Sequence, residues 1–189
     1  MNREHKNIII GKERSMFADG FVERTDLEQY FWTRDTVERL LKALEYTTDC
    51  GCLTTPSLGV GFYEIGREET VLDIDKRFNF LPKFKYFDIT VPTPQNETYN
   101  ILILDPPFFY IPMEQIKKAV LVLTKNKTDV NLMIGFLKRE EKILLETFKD
   151  FDLKPTSFDL EYSTVKPNKW KNYVLYSNID LPGIKRIHK

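Results

Sequence analysis

The sequence predicts a three-layer α/β fold on a mainly parallel sheet, with an antiparallel hairpin at one edge. Three observations carry that expectation. Short apolar runs alternate with segments of helical periodicity through residues 50–151, the order that builds parallel βαβ units. One run, Asn100-Ile-Leu-Ile-Leu104, is apolar after its first residue, as a strand buried on both faces must be. Late in the chain, two strand candidates at 158–162 and 173–176 have little helix between them, which suits a hairpin.

The elements follow in order. Residues 1–25 mix charges with little periodicity and are assigned to an N-terminal extension, leaving 26–189 as one domain. Thr25 and Glu28 stand at capping-box spacing ahead of Val37, Leu40, Leu41 and Leu44, so a helix is expected through Glu45. Cys50–Thr55 reads as a strand stopped by Pro56, with Ser57 expected to cap a short helix. Thr70–Leu72 is a second strand running into Asp73-Ile-Asp75, and Phe84–Phe87 a third ending at Asp88. The fourth, 100–104, stops at Asp105-Pro-Pro107. Met113, Ile116, Val120 and Leu123 mark a helix, Val130–Phe136 a fifth strand, and Ile143, Leu144, Phe148 and Phe151 a further helix. A Lys/Pro/Asn-rich connection separates the last two strands.

Composition narrows the chemistry. Across 189 residues, 28 Lys plus Arg balance 28 Asp plus Glu, so any nucleic-acid partner must be held by a local patch. Two cysteines exclude a disulfide framework and a four-cysteine zinc site. Cys50 and Cys52 read as buried structural thiols, and no metal is expected. His5 and His188 lie at opposite ends of the chain and leave little material for histidine-centred catalysis. No apolar run is long enough to span a membrane, and the start MNREHKN is too polar for a signal peptide. A soluble, cytoplasmic protein is expected, with a nuclear or nucleolar one also compatible.

In an open α/β sheet, ligands bind beyond the carboxyl ends of the strands. Three proposed strands end in acids: Asp73/Asp75, Asp88 and Asp105. An acid after the second strand suits the ribose hydroxyls of a nucleotide-like cofactor. Asp also simply favours strand-to-loop transitions; together and in this order, the three favour a cofactor. The strongest signal is Asp105-Pro106-Pro107-Phe108. Two prolines stiffen the loop and remove two amide donors, so a loop carbonyl is expected to be free to accept a bond. Asp105 adds a second acceptor and Phe108 a flat face. An amine held by two acceptors has its lone pair aimed for in-line attack on a methyl donor. A rigid turn with a buried Phe is the alternative.

Asp105–Phe108 after a strand resembles the (D/N)PP(F/Y) signature of class I S-adenosylmethionine-dependent amino-methyltransferases. More narrowly, the chain resembles the probable N6-adenine methyltransferases, through Gln29-Tyr-Phe-Trp32, Cys52-Leu-Thr-Thr-Pro-Ser-Leu58, Leu72-Asp-Ile-Asp-Lys-Arg-Phe78 and Asp105–Phe108. Two branches are familiar: CCHC zinc-finger ribosomal-RNA adenine methyltransferases, and small lysine methyltransferases of elongation factor 1A. The resemblance spans about Leu27 to Pro182 and implies a Rossmann-like class I fold with S-adenosylmethionine as cofactor. It implies that Thr55, Pro56 and Ser57 lie against that cofactor, where other class I enzymes carry a glycine-rich motif. Asp73 or Asp75 would hold its ribose, Asp88 would lie near its adenine, and Asp105–Phe108 would grip the substrate amine. The chain lacks the Cys/His modules of the RNA branch and has Phe109-Tyr110 where that branch tends to have glycines.

The acceptor expected first is the exocyclic amine of adenine in RNA, ribosomal RNA among the candidates. A lysine of a translation elongation factor is the alternative, and a catalytically silent binding subunit the second. Phe109, Lys169, Trp170 and Lys171 are the substrate-side candidates. From Thr164 onward, Lys166, Lys169, Lys171, Lys185, Arg186 and Lys189 face only Asp180. With Trp170 and Tyr173 interleaved, this stretch reads equally as a solvated edge or a nucleic-acid edge. An accessory subunit that helps bind substrate is an expected partner; a membrane is not.

Overall fold

Whole-length burial selects the central strands of the computed structural model, which describes residues 22–170 and 172–188, apart from the side chain of Trp170. Cys50–Leu53 (β1), Thr70–Asp73 (β2) and Ile101–Leu104 (β4) are buried at every position, because both sheet faces are covered. Ile101 and Ile103 enter one core with Cys50 and Cys52, while Leu102 and Leu104 enter the opposite core with Leu53. This is the two-residue alternation of a strand between two layers.

Phe84–Tyr86 (β3), Asn131–Leu137 (β5), Lys154–Asp159 (β6) and Tyr173–Ser177 (β7) complete a seven-stranded sheet of order β3-β2-β1-β4-β5-β7-β6. The first five strands pair in parallel, while β7 runs antiparallel to both β5 and β6. The expected α/β class, parallel majority and antiparallel edge are all present. Helices Arg34–Ala43 (α1) and Pro56–Glu64 (α2) cover one face. Met113–Leu123 (α3) and Glu141–Thr147 (α4) cover the other.

Local details depart from expectation. Thr25–Leu27 is a single 3-10 turn ended by Glu28 in the left-handed region at φ 51°. The first helix starts instead after Thr33, whose hydroxyl accepts from the Thr36 amide at 3.2 Å. Glu28 does not close a capping box because its carboxylate bonds elsewhere, as described below. Ser57 caps nothing: Pro56 takes the first helical position, and Ser57 is buried in α2. The expected 158–162 strand is displaced to Lys154–Asp159. Inward alternation continues through Phe158, Leu160 and Tyr162, but the ladder with β7 ends at Asp159 and Tyr162 bridges to Trp32.

Cys50 and Cys52 are buried free thiols, and burial pushes Cys50 up to about 12. Among the described residues, no helix is long and apolar enough to cross a membrane, and no cluster of His, Cys, Asp and Glu is placed to hold a metal. His5, Lys171 and most of the proposed N-terminal extension lie outside the described residues.

Candidate active site

A cleft opens where β1, β2 and β4 end. Its volume is about 700 Å³ with the open mouth included, and its walls hold Thr54, Pro56, Asp73, Asp105–Phe109, Tyr162 and Tyr173. Leu27–Tyr30 cross it as a strap. At its floor, β1 turns sharply into α2 through Thr54 at φ 56°, a region where a β-branched residue is an outlier. The corner is held by the Thr54 amide donating to the Leu72 carbonyl at 3.0 Å and its hydroxyl donating to the Leu53 carbonyl at 2.6 Å. Such strained corners recur at functional sites.

Asp105 follows the last residue of β4 directly. Its Oδ1 accepts a hydrogen bond from the Tyr162 hydroxyl at 3.0 Å. Burial pushes the Asp105 carboxyl up to about 8, with the Tyr162 bond acting in the opposite direction and nearby Glu28 adding to the rise. Phe108 packs on Phe136 at 4.6 Å and Phe109 at 4.7 Å between ring centroids. Phe109 is 61% exposed. The expectation of a free loop carbonyl needs correction. The Pro106 carbonyl accepts from the Phe108 amide at 2.9 Å, and that of Pro107 accepts from the Tyr110 and Ile111 amides. A carbonyl has two lone pairs, so Pro106 keeps one for a ligand.

The two acids after β2 separate into different roles. Asp73 is 5% exposed, lines the cleft and forms no ion pair among the described residues. Its Oδ1 accepts from the Asp75 amide at 2.8 Å, and burial pushes its carboxyl up to about 7. Asp75 is engaged by Arg77, whose Nη2 stands 2.8 Å from Oδ2, and by Gln29, whose Nε2 donates to Oδ2 at 2.9 Å. Burial works to raise Asp75, but these bonds outweigh it and hold the group below the usual carboxylate range. Asp75 therefore anchors the strap, and Asp73 faces the ligand space.

Strap residues adjacent to one another reach opposite sides. Gln29 takes Asp75, whereas the Glu28 carboxylate accepts from the amides of Phe109 at 3.1 Å and Tyr110 at 3.3 Å. Burial raises Glu28, and those two bonds oppose the rise.

The remaining sequence candidates are placed as follows. Pro56 lines the cleft, while Thr55 and Ser57 are buried beneath it and the Thr55 hydroxyl donates to the Ile103 carbonyl at 3.4 Å. Asp88 lies after β3, outside the lining, and its Oδ1 accepts from the Thr90 amide and hydroxyl. Lys169 is exposed on the short helix Pro167–Trp170, close in the chain to Val165 of the cleft wall. Glu28, Thr54 and Tyr162 carry no expectation of a site role in the sequence, and Tyr173, expected at most on a nucleic-acid edge, lines the cleft. Only Tyr162 carried a usable signal, the inward alternation from Phe158.

A seven-stranded sheet of this order, with acids closing β2 and β4 over one cleft, is the fold of Rossmann-like methyltransferases. It is shared with the magnesium protoporphyrin IX methyltransferase of Synechocystis, solved with S-adenosylmethionine bound, at a TM-score of 0.52 and 14% identity over 92% of this chain and 89% of that one. An S-adenosylmethionine-dependent methyltransferase of Clostridium acetobutylicum matches at 0.52 and 9% identity over 76% and 90%. A Thermoplasma acidophilum protein matches at 0.51 and 15% over 88% and 98%. No curated protein matches the chain. A family model does, over residues 23–181, and the chain belongs to that family, described as probable N6-adenine methyltransferase. It is an S-adenosylmethionine-dependent methyltransferase, and its own residues fit that cofactor. Asp73 is a buried acid that lines the open space of the cleft, where sugar hydroxyls would donate.

Proposed function

We propose that the chain methylates the exocyclic amine of an adenine in RNA. The observation that carries this reading is Asp105, a carboxyl acceptor set beside the flat faces of Phe108 and Phe109 in one cleft. An adenine amine is planar and has two N–H donors. Asp105 and the Pro106 carbonyl can accept one each, while an aromatic ring lies against the base. When bound, the cofactor supplies an electrophilic methyl on a positively charged sulfur. Asp73 holds its sugar, Thr54 and Pro56 shape its floor, and the strap keeps water away from the reacting atoms.

Phosphate contacts have local sources despite the zero net charge. Lys166 and Lys169 are exposed next to the cleft wall, and exposed Lys138 and Arg139 follow β5, with the Lys138 amide donating to Asn172 at 2.7 Å. An accessory subunit would extend this patch, and a cytoplasmic site of action suits the reading. The deciding measurement is transfer of labelled methyl into fractionated RNA and protein. Incorporation should vanish with nuclease and be recovered in N6-methylated adenine. RNA binding should weaken with salt at roughly −0.7 per neutralised phosphate. Replacing Lys166, Lys169 and Lys171 with Gln should flatten that slope without changing cofactor affinity.

One observation favours a second reading, a protein lysine on a translation factor. Beside the cleft, a groove shares Phe108 and Phe109 and is rimmed by Glu114, Glu140 and Glu146, which suits a basic peptide better than phosphates. Nuclease-resistant incorporation into a single protein band would select it and overturn the RNA reading.

A further inference from the structure

We propose that Tyr162 is a positioning residue for methyl transfer. Its hydroxyl orients the Asp105 carboxyl toward the acceptor amine and favours its ionised form, with the Trp32 indole N–H buried alongside. The inference rests on the reading that Asp105 grips the amine.

The two donors arrive together. Trp32 and Tyr162 are antiparallel bridge partners, although 130 positions separate them. The Tyr162 hydroxyl donates to Asp105 Oδ1 at 3.0 Å. Trp32 is 1% exposed, and its indole N–H lies beside both the Asp105 carboxyl and the Tyr162 hydroxyl, where it acts to lower the pKa of each. Yet that N–H is buried and completes no hydrogen bond. A buried indole donor ordinarily finds an acceptor, and the Asp105 carboxyl and the Tyr162 hydroxyl are the acceptors it stands beside.

The other groups facing Asp105 do not keep it charged. Glu28 from the strap repels it, and Tyr173 of β7 is itself raised by burial and by Asp105. Among the described residues, no lysine or arginine forms an ion pair with Asp105. Burial pushes the carboxyl up to about 8 even with Tyr162 present. Neutral donors are therefore what tip it toward the anion. A protonated carboxyl would turn one oxygen into a donor and compete with the amine for alignment.

The test follows the ionisation directly. In protein labelled with ¹³C at the Asp carboxyls, a resonance titrating near pH 8 should be present in wild type and absent in Asp105→Asn. In Tyr162→Phe its midpoint should move upward by half a unit or more. The acid limb of labelled-methyl transfer into total RNA and total protein should move with it. Turnover should approach the wild-type rate above both midpoints, and cofactor affinity by calorimetry should stay within twofold. Trp32→Phe should move the midpoint in the same direction and carries the test if Tyr162→Phe does not fold. An unmoved midpoint, or an equal loss of rate at every pH, would overturn the role of Tyr162. Undiminished transfer by Asp105→Asn would instead remove the amine grip itself, so the two failures are distinguishable.

Discussion

A β-carbon on Gly135 would stand 2.8 Å from Oδ1 of Asp105 and 2.8 Å from Cδ1 of Leu160. Strand register brings them together: Leu104 pairs with Ile134, so Asp105 and Gly135 are the next residues along neighbouring strands. Glycine weakens a strand interior, and here its missing side chain is the space the carboxyl occupies. Gly135→Ala should shift the carboxyl and lower methyl transfer at least tenfold. Overpacking should cost about 1–3 kcal/mol of stability. The rise in melting temperature on adding S-adenosylmethionine should persist, because Gly135 lies on the acceptor side. Calorimetry with and without cofactor, beside a rate measurement, checks all three.

Asp73 and Asp75 should separate cleanly by mutation. Asp73→Asn should abolish the cofactor-induced melting shift, since ligand stabilisation follows native-state affinity. Asp75→Asn should preserve much of that shift while lowering the melting temperature of the free protein. Loosening the partly exposed Arg77 pair and the Gln29 bond should cost on the order of 2 kcal/mol. Loss of the shift in Asp75→Asn alone would reverse the assignment.

Stability should fall as pH rises. Burial raises Asp73 to about 7 and Asp105 to about 8. A carboxyl raised in the folded state binds a proton there that the unfolded chain has already released. Stability therefore declines from the ordinary carboxylate range up to the folded value, between roughly pH 4 and pH 8. Asp73→Asn and Asp105→Asn should each be more stable than wild type at pH 8, with the gap closing near pH 4. Urea unfolding at the two pH values measures it.

The strap should control order in the acceptor loop. Glu28→Ala removes the acceptor of the Phe109 amide, whereas the Tyr110 amide keeps the Pro107 carbonyl, so hydrogen exchange at Phe109 should quicken about tenfold, as expected for losing about 1.4 kcal/mol of local protection, and at Tyr110 by less. The acceptor KM should rise while cofactor affinity changes little. Unchanged exchange at those amides would show that the loop is ordered by its prolines alone.

Much of the frame was legible because it rests on local rules. Continuous apolar runs marked β1, β2, β4 and β5, and Asp105-Pro-Pro-Phe108 marked the working end of β4. The rest depended on partners distant in sequence. Tyr162 bonds Asp105 across 57 positions, and Glu28 reaches Phe109 across 81. Spacing at Thr25 and Glu28 promised a capping box, yet nothing local could show that the carboxylate had a better partner. Side-chain chemistry at Thr54 does not reveal its left-handed φ, whereas Thr55 and Ser57 carry the sequence signal. The choice between Asp73 and Asp75 required Arg77 and Gln29 to be in place.

Tyr173 stands on β7 and Tyr162 just beyond β6, so both follow every parallel strand in the chain. A ribosome therefore releases Asp73, the strap and Asp105 well before the residues that complete the wall around the amine. An interrupted translation product ending ahead of Tyr162 carries the signature loop but not its hydroxyl partner. Prematurely terminated chains should thus be inert toward RNA and protein alike, and the methyl donor is spared from unfinished enzyme.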